Sequence, residues 1–206
     1  MTSNKNTIYF VDVTNRDGVQ TSRLGLAKLQ KTIINIMLDD MGISQSEFGF
    51  PTTKHELNYL NGNLELVDRG VITKTKLSGW MRAVAKDVVE SFRNVPRLKY
   101  VNLSQSTSDQ MINGKYGGKK TRQDILSQTL EAVDAAKTCG AQIIGVNAED
   151  ASRSDLNFLI EYAKECKKHG ASRFRYCDTL GFEDPHTAYE LSLIHIPSPR
   201  DTERSR

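Results

Sequence analysis

Apolar and polar positions along this chain follow two alternating periods. Short apolar runs that read as strands lie at Ile8–Thr14, Ile43–Phe50, Val71–Leu77, Tyr100–Ser106, Gln142–Ala148 and Arg173–Thr179. Between most of them apolar residues recur every three or four positions, the spacing of one helix face. Leu24, Leu26, Leu29, Ile33 and Met37 predict one such face, with Gly42 as its stop. Thr121 and Asp124 make a capping box. Ile125, Leu126, Leu130, Val133 and Ala136 continue as that helix's inner face, and Gly140 ends it. Ser154 is expected to cap a further helix, with Leu156, Leu159, Ile160 and Ala163 inward and Gly170 behind it.

Strand, helix and strand in repetition predict parallel strands joined by right-handed crossovers. One unit about every 30 residues suits an α/β fold of the (β/α)8 TIM-barrel type, which needs about 250 residues in all. The chain holds about the first six βα units, so the barrel is expected to be incomplete; a doubly wound sheet is the alternative. The absence of a glycine-rich GxGxxG or GxxxxGK[ST] loop argues against a dinucleotide-binding fold. Residues 1–190 read as the N-terminal part of one catalytic domain. Residues 191–206 break the pattern, with Pro197 and Pro199 where a helix should run. That string resembles a translated sequencing adapter and is set aside as non-native.

Composition narrows the class. Lysine and arginine total 28 against 25 aspartates and glutamates, a net charge of +3. Nothing in that balance calls for nucleic acid or an anionic membrane. No apolar run approaches the ~18 residues of a membrane span. The start, Met1 to Thr7, is polar and lacks a signal core, so a cytoplasmic location is expected. Cys139, Cys166 and Cys177 have no CxxC spacing and read as thiols in a reducing compartment.

The strand ends carry the chemistry. In parallel α/β folds ligands bind at the carboxyl ends of strands. The first offers Asn15-Arg16-Asp17-Gly18-Val19-Gln20, where a carboxylate can hold a cation and a guanidinium an oxyanion. The second offers Glu47, the third leads to Gly79-Trp80-Met81-Arg82, and the fourth offers Ser104 and Ser106. The fifth ends in Asn147-Ala148-Glu149-Asp150 and the sixth in Asp178-Thr179. Each alone also reads as a turn or a cap, but acids at four of six tips suit a barrel enzyme. Strand parity places Asn102, Ser104 and Ser106 on the inner face, and groups Arg175 with Thr179. A buried arginine needs a carboxylate partner, from the protein or from a substrate. Asn113–Lys120 reads as a flexible basic loop, either solvated or a lid. The histidines are weak signals: His55 and His169 fall on helix surfaces, and His186 opens a helix.

In that order the motifs N-R-D-G-V-Q, S-E-F-G-F-P, S-T-S-D, A-E-D-A-S-R and C-D-T-L-G resemble the homocitrate synthase and 2-isopropylmalate synthase family. That family of metal-dependent acetyl-CoA:2-oxo acid acyltransferases also includes Re-type citrate synthases. The resemblance implies a Claisen condensation in which the enolate of acetyl-CoA attacks a 2-oxo acid, followed by thioester hydrolysis. It implies acetyl-CoA as co-substrate, a divalent metal (Mg, Mn or Zn) and a homodimer for the full-length enzyme. By its matching motifs it implies Asp17 as a metal ligand and Arg16 as the oxyanion's partner. Glu149 would lie nearest the proton chemistry and Thr179 on the substrate carboxylate, with Glu47 orienting Arg16. Gln20, Ser106 and Asn147 complete the substrate-binding set. An aldolase or lyase on the same barrel would share Arg16 and Asp17 without using acetyl-CoA.

Two departures matter. Gln110 and Met111 stand where the family's S-T-S-D motif is closely followed by a histidine. The family's metal site needs an H-x-H pair on the seventh strand, and the native part of the chain stops before it, so the chain by itself is expected to bind no metal tightly and to be inactive. The polar Ser104, Ser106 and Asn147 favour a 2-oxo dicarboxylate, either 2-oxoglutarate or oxaloacetate, over a branched-chain acid.

Overall fold

The computed structural model of the protein describes residues 8–193. Six strands alternate with seven helices there. The strands are β1 Val11–Asp12, β2 Gln45–Gly49, β3 Lys76–Arg82, β4 Tyr100–Ser106, β5 Ile143–Glu149 and β6 Arg173–Tyr176. The helices are α1 Lys28–Asp40, α2 Leu57–Asp68, α3 Ala85–Asn94, α4 Asp109–Tyr116, α5 Arg122–Thr138, α6 Leu156–His169 and α7 Pro185–Leu193.

The strands pair in sequence order, β1 to β6, and every pair is parallel. A doubly wound sheet reverses its order at a switch point; this one never does, so it is singly wound. It also curls. Arg173 of β6 donates to Gln45 of β2 at 2.7 Å, and Arg175 of β6 to Glu47 of β2 at 2.8 Å, across three intervening strands. An incomplete TIM barrel is therefore the architecture, as the strand spacing implied.

The sheet's two faces differ. Val101, Leu103, Ile144 and Val146 are buried against α3, α5 and α6 in one apolar core with Val88, Phe92, Ile125, Val133 and Tyr162. Roughly 1.5–3 kcal/mol follows from burying each such large side chain. The inner face is polar: Gln45, Glu47, Ser78, Asn102 and Asn147 are all buried. Polar groups inside require partners, and several of these find them in one another. Asn102 Nδ2 donates to Glu47 Oε1 at 2.6 Å, while its Oδ1 accepts from Arg173 at 2.8 Å. Gly145 makes room for this, since a Cβ there would lie 2.3 Å from Asn102 Oδ1.

Four expectations are corrected. The third strand is Lys76–Arg82, not Val71–Leu77. The buried Asp39 carboxylate accepts the backbone N–H groups of Thr73, Lys74 and Thr75, which turns that apolar segment into a loop. Gly79 to Arg82 thus lie in the strand itself. The first strand pairs only through Val11 and Asp12. Helix α1 faces the other way: Lys31, Asn35, Leu38 and Asp39 are buried, while Leu29, Ile33 and Met37 are 69%, 41% and 58% exposed. Helix α6 is capped by Asp155, whose carboxylate accepts Phe158 N–H at 2.9 Å. Its inner residues are Phe158, Leu159, Tyr162 and Cys166, while Leu156 and Ile160 are exposed. The capping box at Thr121 and Asp124 forms as expected. Residues 1–7 and, within the segment set aside as non-native, 194–206 lie outside the described residues.

Candidate active site

All six strands contribute to the wall of one cavity. The tip of β1 is a tight turn, since the Val13 carbonyl accepts the N–H groups of Arg16, Asp17 and Gly18 at 3.1, 2.7 and 3.1 Å. What fixes that turn is Asn15, fully buried, whose Nδ2 donates to Lys31 O and Asn35 Oδ1, both at 2.8 Å. Asn35 donates in turn to the Tyr59 hydroxyl and to Asn63 Oδ1, each at 2.9 Å. Lys31 pairs with Glu56 at 2.5 Å and lies 4.4 Å from the Tyr59 ring centre. This network welds α1, α2 and the β1 tip together. Asn15 anchors the turn, leaving Arg16 half-buried and Asp17 exposed.

The Arg16 guanidinium carbon lies over Trp80 of β3, 3.7 Å from the ring centre, and Arg16 pairs with Asp17. A cation held against an aromatic face keeps its N–H groups available to anions. Glu47 does not orient Arg16, contrary to the family-based expectation. Its Oε1 accepts from Asn102 and from Arg175, because β2 and β6 face each other across the curled sheet. The carboxylate expected beside Arg175 is thus supplied by the protein.

Glu149 ends β5. Its Oε2 accepts from Ser106 Oγ at 2.6 Å and from Lys115 Nζ at 2.7 Å, and Lys115 also donates to Ser106 at 2.6 Å. Lys115 is a residue that the sequence reading misplaced. Asn113 to Tyr116 form the last turn of α4 rather than a loop, and Gly117 closes it with φ of +56°. The S-T-S-D motif is the start of this helix, with Ser108 accepting Met111 N–H at 3.1 Å. Ser106 is fully buried behind Glu149, while Ser104 forms the cavity wall.

Asp150 follows in a left-handed conformation, φ +62°, which costs a non-glycine residue about 1 kcal/mol or more. Three contacts hold it there. Its carboxylate accepts from Arg153 and from Ser108 at 2.5 Å, and its N–H donates to Thr179 Oγ1 at 2.8 Å. Burial pushes this carboxyl up, but the Arg153 and Ser108 hydrogen bonds outweigh it and hold it below its ordinary value. Asp178 is also held low, chiefly by the Ser152 hydroxyl. Burial pushes the Cys177 thiol up to about 11, against the pull of Arg175.

The cavity these groups surround is about 510 Å³. It brings together Arg16, Asp17, Gln20, Glu47, Asn147, Glu149 and Thr179 of the expected set, leaving Ser106 behind the wall. Trp80, Arg175 and Cys177 join them. A second cavity of about 750 Å³ adjoins it between the tips of β2 and β3, sharing Arg16, Gln20 and Trp80 and adding His55, Glu56 and Arg82. The residues present do not by themselves make a metal site. Among the described residues no three His, Cys, Asp or Glu side chains are grouped as ligands would be. A hard cation takes six to eight oxygens, and Asp17 offers one carboxylate.

Comparison with known proteins bears on this arrangement. Residues 7–194 match the HMGL-like family. The chain is 60% identical to a citrate (Re)-synthase of Dehalococcoides mccartyi over 185 residues, covering 90% of this chain and 45% of that protein. It is 44% identical to a 2-isopropylmalate synthase of Caldanaerobacter subterraneus, covering 89% of this chain and 46% of that one. The chain therefore spans about half the length of these relatives. Among solved structures, hydroxymethylglutaryl-CoA lyase from Pseudomonas aeruginosa superposes with a TM-score of 0.70 at 16% identity, over 96% of this chain and 66% of that one. At that identity the likeness is one of fold.

Proposed function

This chain belongs to the HMGL-like family, and from that premise we propose that the whole protein of which it is a part condenses acetyl-CoA with oxaloacetate. The acetyl methyl group loses a proton, the enolate carbon attacks the ketone, and water cleaves the thioester to give citrate and free CoA. The observation that carries the reading is 60% identity to a citrate (Re)-synthase. The cavity wall agrees with it. Arg16, Arg175, Ser104, Asn147 and Thr179 offer hydrogen-bonding groups, whereas a branched aliphatic chain would leave them unpaired at a cost of several kcal/mol, about 10⁴-fold in rate.

Each side chain has a proposed task. Arg16, held over the Trp80 ring, donates to the alkoxide as it develops at the former ketone. Glu149 handles the proton of the acetyl methyl group, with Ser106 and Lys115 fixing its carboxylate. Thr179, Gln20 and Asn147 bind the 2-oxo acid. Asp17 would be a ligand to a divalent cation, supplying one carboxylate of the six to eight oxygens such an ion takes. Such a cation would polarise the 2-oxo acid when bound.

Thiol release tests the reading in the full-length protein with acetyl-CoA and a panel of 2-oxo acids. Oxaloacetate is expected to give the fastest release of CoA, ahead of 2-oxoglutarate, with 2-oxoisovalerate slowest. Faster release with 2-oxoisovalerate would overturn the substrate assignment. No release with any 2-oxo acid would point to a lyase.

A further inference from the structure

Arg175 holds a hydrogen-bonding capacity that the protein does not use. It lies in register with Asn147 of β5, which lies in register with Ser104 of β4, and all three line the cavity. One arm, Nη1, donates to Glu47 at 2.8 Å. The other arm, Nη2, is buried without an acceptor. Asn147 beside it is 3% exposed, and its Oδ1 is buried without a donor. Unused buried donors and acceptors are rare, because each forfeits its bonds to water.

A second arginine lies below this point. Beneath the cavity Arg173 is bonded only to neutral amides, Gln45 and Asn102. Its guanidinium is held below its ordinary value by burial and by Arg175 nearby. Two arginines thus share one inner carboxylate, Glu47. A half-buried guanidinium with a free arm is suited to a second carboxylate, held through a charge-assisted bond.

A 2-oxo acid places its ketone and adjoining carboxylate at Arg16 and Thr179 in the function proposed above. We propose that Arg175 is the specificity-determining residue that recognises the second carboxylate of a 2-oxo dicarboxylic acid, with Asn147 supporting it. This rests on the proposed condensation with such an acid. It adds a residue that the motif resemblance does not supply.

The test measures kcat/KM of the full-length protein for oxaloacetate and for 2-oxobutyrate, which has a methyl group in place of the second carboxylate. Arg175→Met is expected to lower the value for oxaloacetate about 100-fold or more beyond any change in that for 2-oxobutyrate. Arg175→Lys, which keeps the charge but not the fork, is expected to retain part of the preference. Equal loss on both substrates would overturn the inference, leaving Arg175 as a prop for Glu47. Should the methionine variant fail to fold, the lysine variant decides. An unchanged substrate ratio there overturns the inference, and a ratio lowered about tenfold sustains it. A wild-type protein that turns over no 2-oxo dicarboxylate would overturn the condensation reading and this inference together, whereas the other adverse outcomes leave the condensation intact.

Discussion

Asp150 and Glu149 are adjacent in the chain, yet their surroundings set them to different work. Asp150 is fully buried, bonded to Arg153 and Ser108, and holds a left-handed turn. Its carboxyl is held below its ordinary value. A group depressed in the folded state contributes stability that is whole above its unfolded pKa, about 4, and lost as pH falls through the lower folded value. Urea unfolding of the chain should therefore shift to lower denaturant as pH drops below about 4, and Asp150→Asn should flatten that slope. At neutral pH the substitution should cost about 1.5–3 kcal/mol, the range for a hydrogen bond to a charged group. Parallel slopes for the two proteins would show that the charge of Asp150 does not matter. Glu149 instead opens on the cavity. Glu149→Gln in the full-length protein is expected to lower kcat about 10²–10⁴-fold with little change in KM for acetyl-CoA. At this scale the sequence was informative, because Arg16, Asp17, Glu47, Asn147, Glu149 and Thr179 all stand at the carboxyl ends of strands, and one cavity collects them. Lys115 and Trp80 escaped it. Nothing in a basic glycine-containing stretch says that a helix delivers its lysine to Glu149, and a misplaced β3 hid the face that Trp80 presents to Arg16.

Helices and strands were legible where a local device decides the matter. The box at Thr121 and Asp124 closes α5 whatever packs on it, and Gly140 and Gly170 end their helices with φ of +92° and +112°. They were illegible where a distant partner decides. Val71 to Thr75 look like a strand until Asp39, more than thirty residues away, takes their N–H groups. Asp39 is also held below its ordinary value, because those backbone bonds outweigh its burial. Asp39→Ala should cost about 2–3 kcal/mol, since it leaves buried N–H groups unpaired. Chemical denaturation measures this, and a loss below about 0.5 kcal/mol would mean that water replaces the carboxylate. Helix α1 shows the same dependence on context. Its buried face is polar because Asn35 and Lys31 meet Asn15, Tyr59 and Glu56. Its apolar stripe of Leu29, Ile33, Met37 and Met41 is exposed among the described residues. Leu29→Lys with Met37→Lys should therefore leave the unfolding midpoint of this chain nearly unchanged while reducing its binding of a hydrophobic dye. A large loss of stability would place these side chains in a core.

At the scale of the whole molecule, six parallel strands in sequence order form part of a barrel, and among the described residues no group of three possible metal ligands gathers around Asp17 in the cavity at their carboxyl ends. The relatives run to about twice this length. An H-x-H pair about 25 residues past Asp178, one barrel unit on, is the expected complement in the natural locus. With it, the full-length protein should bind a divalent cation in calorimetry, and Asp17→Asn should weaken that binding at least about tenfold. Barrel class was legible because strand spacing repeats; the juxtaposition of Arg175 and Asn147 in the cavity wall was not, since it depends on the register between β5 and β6. The most direct test of the account gives the full-length protein acetyl-CoA labelled with ¹³C in the methyl group, together with oxaloacetate, and follows the carbon by NMR. The label is predicted to appear as a methylene of citrate while free CoA accumulates in equal amount. Labelled acetyl-CoA that persists with oxaloacetate, but is consumed with 2-oxoisovalerate, would contradict it.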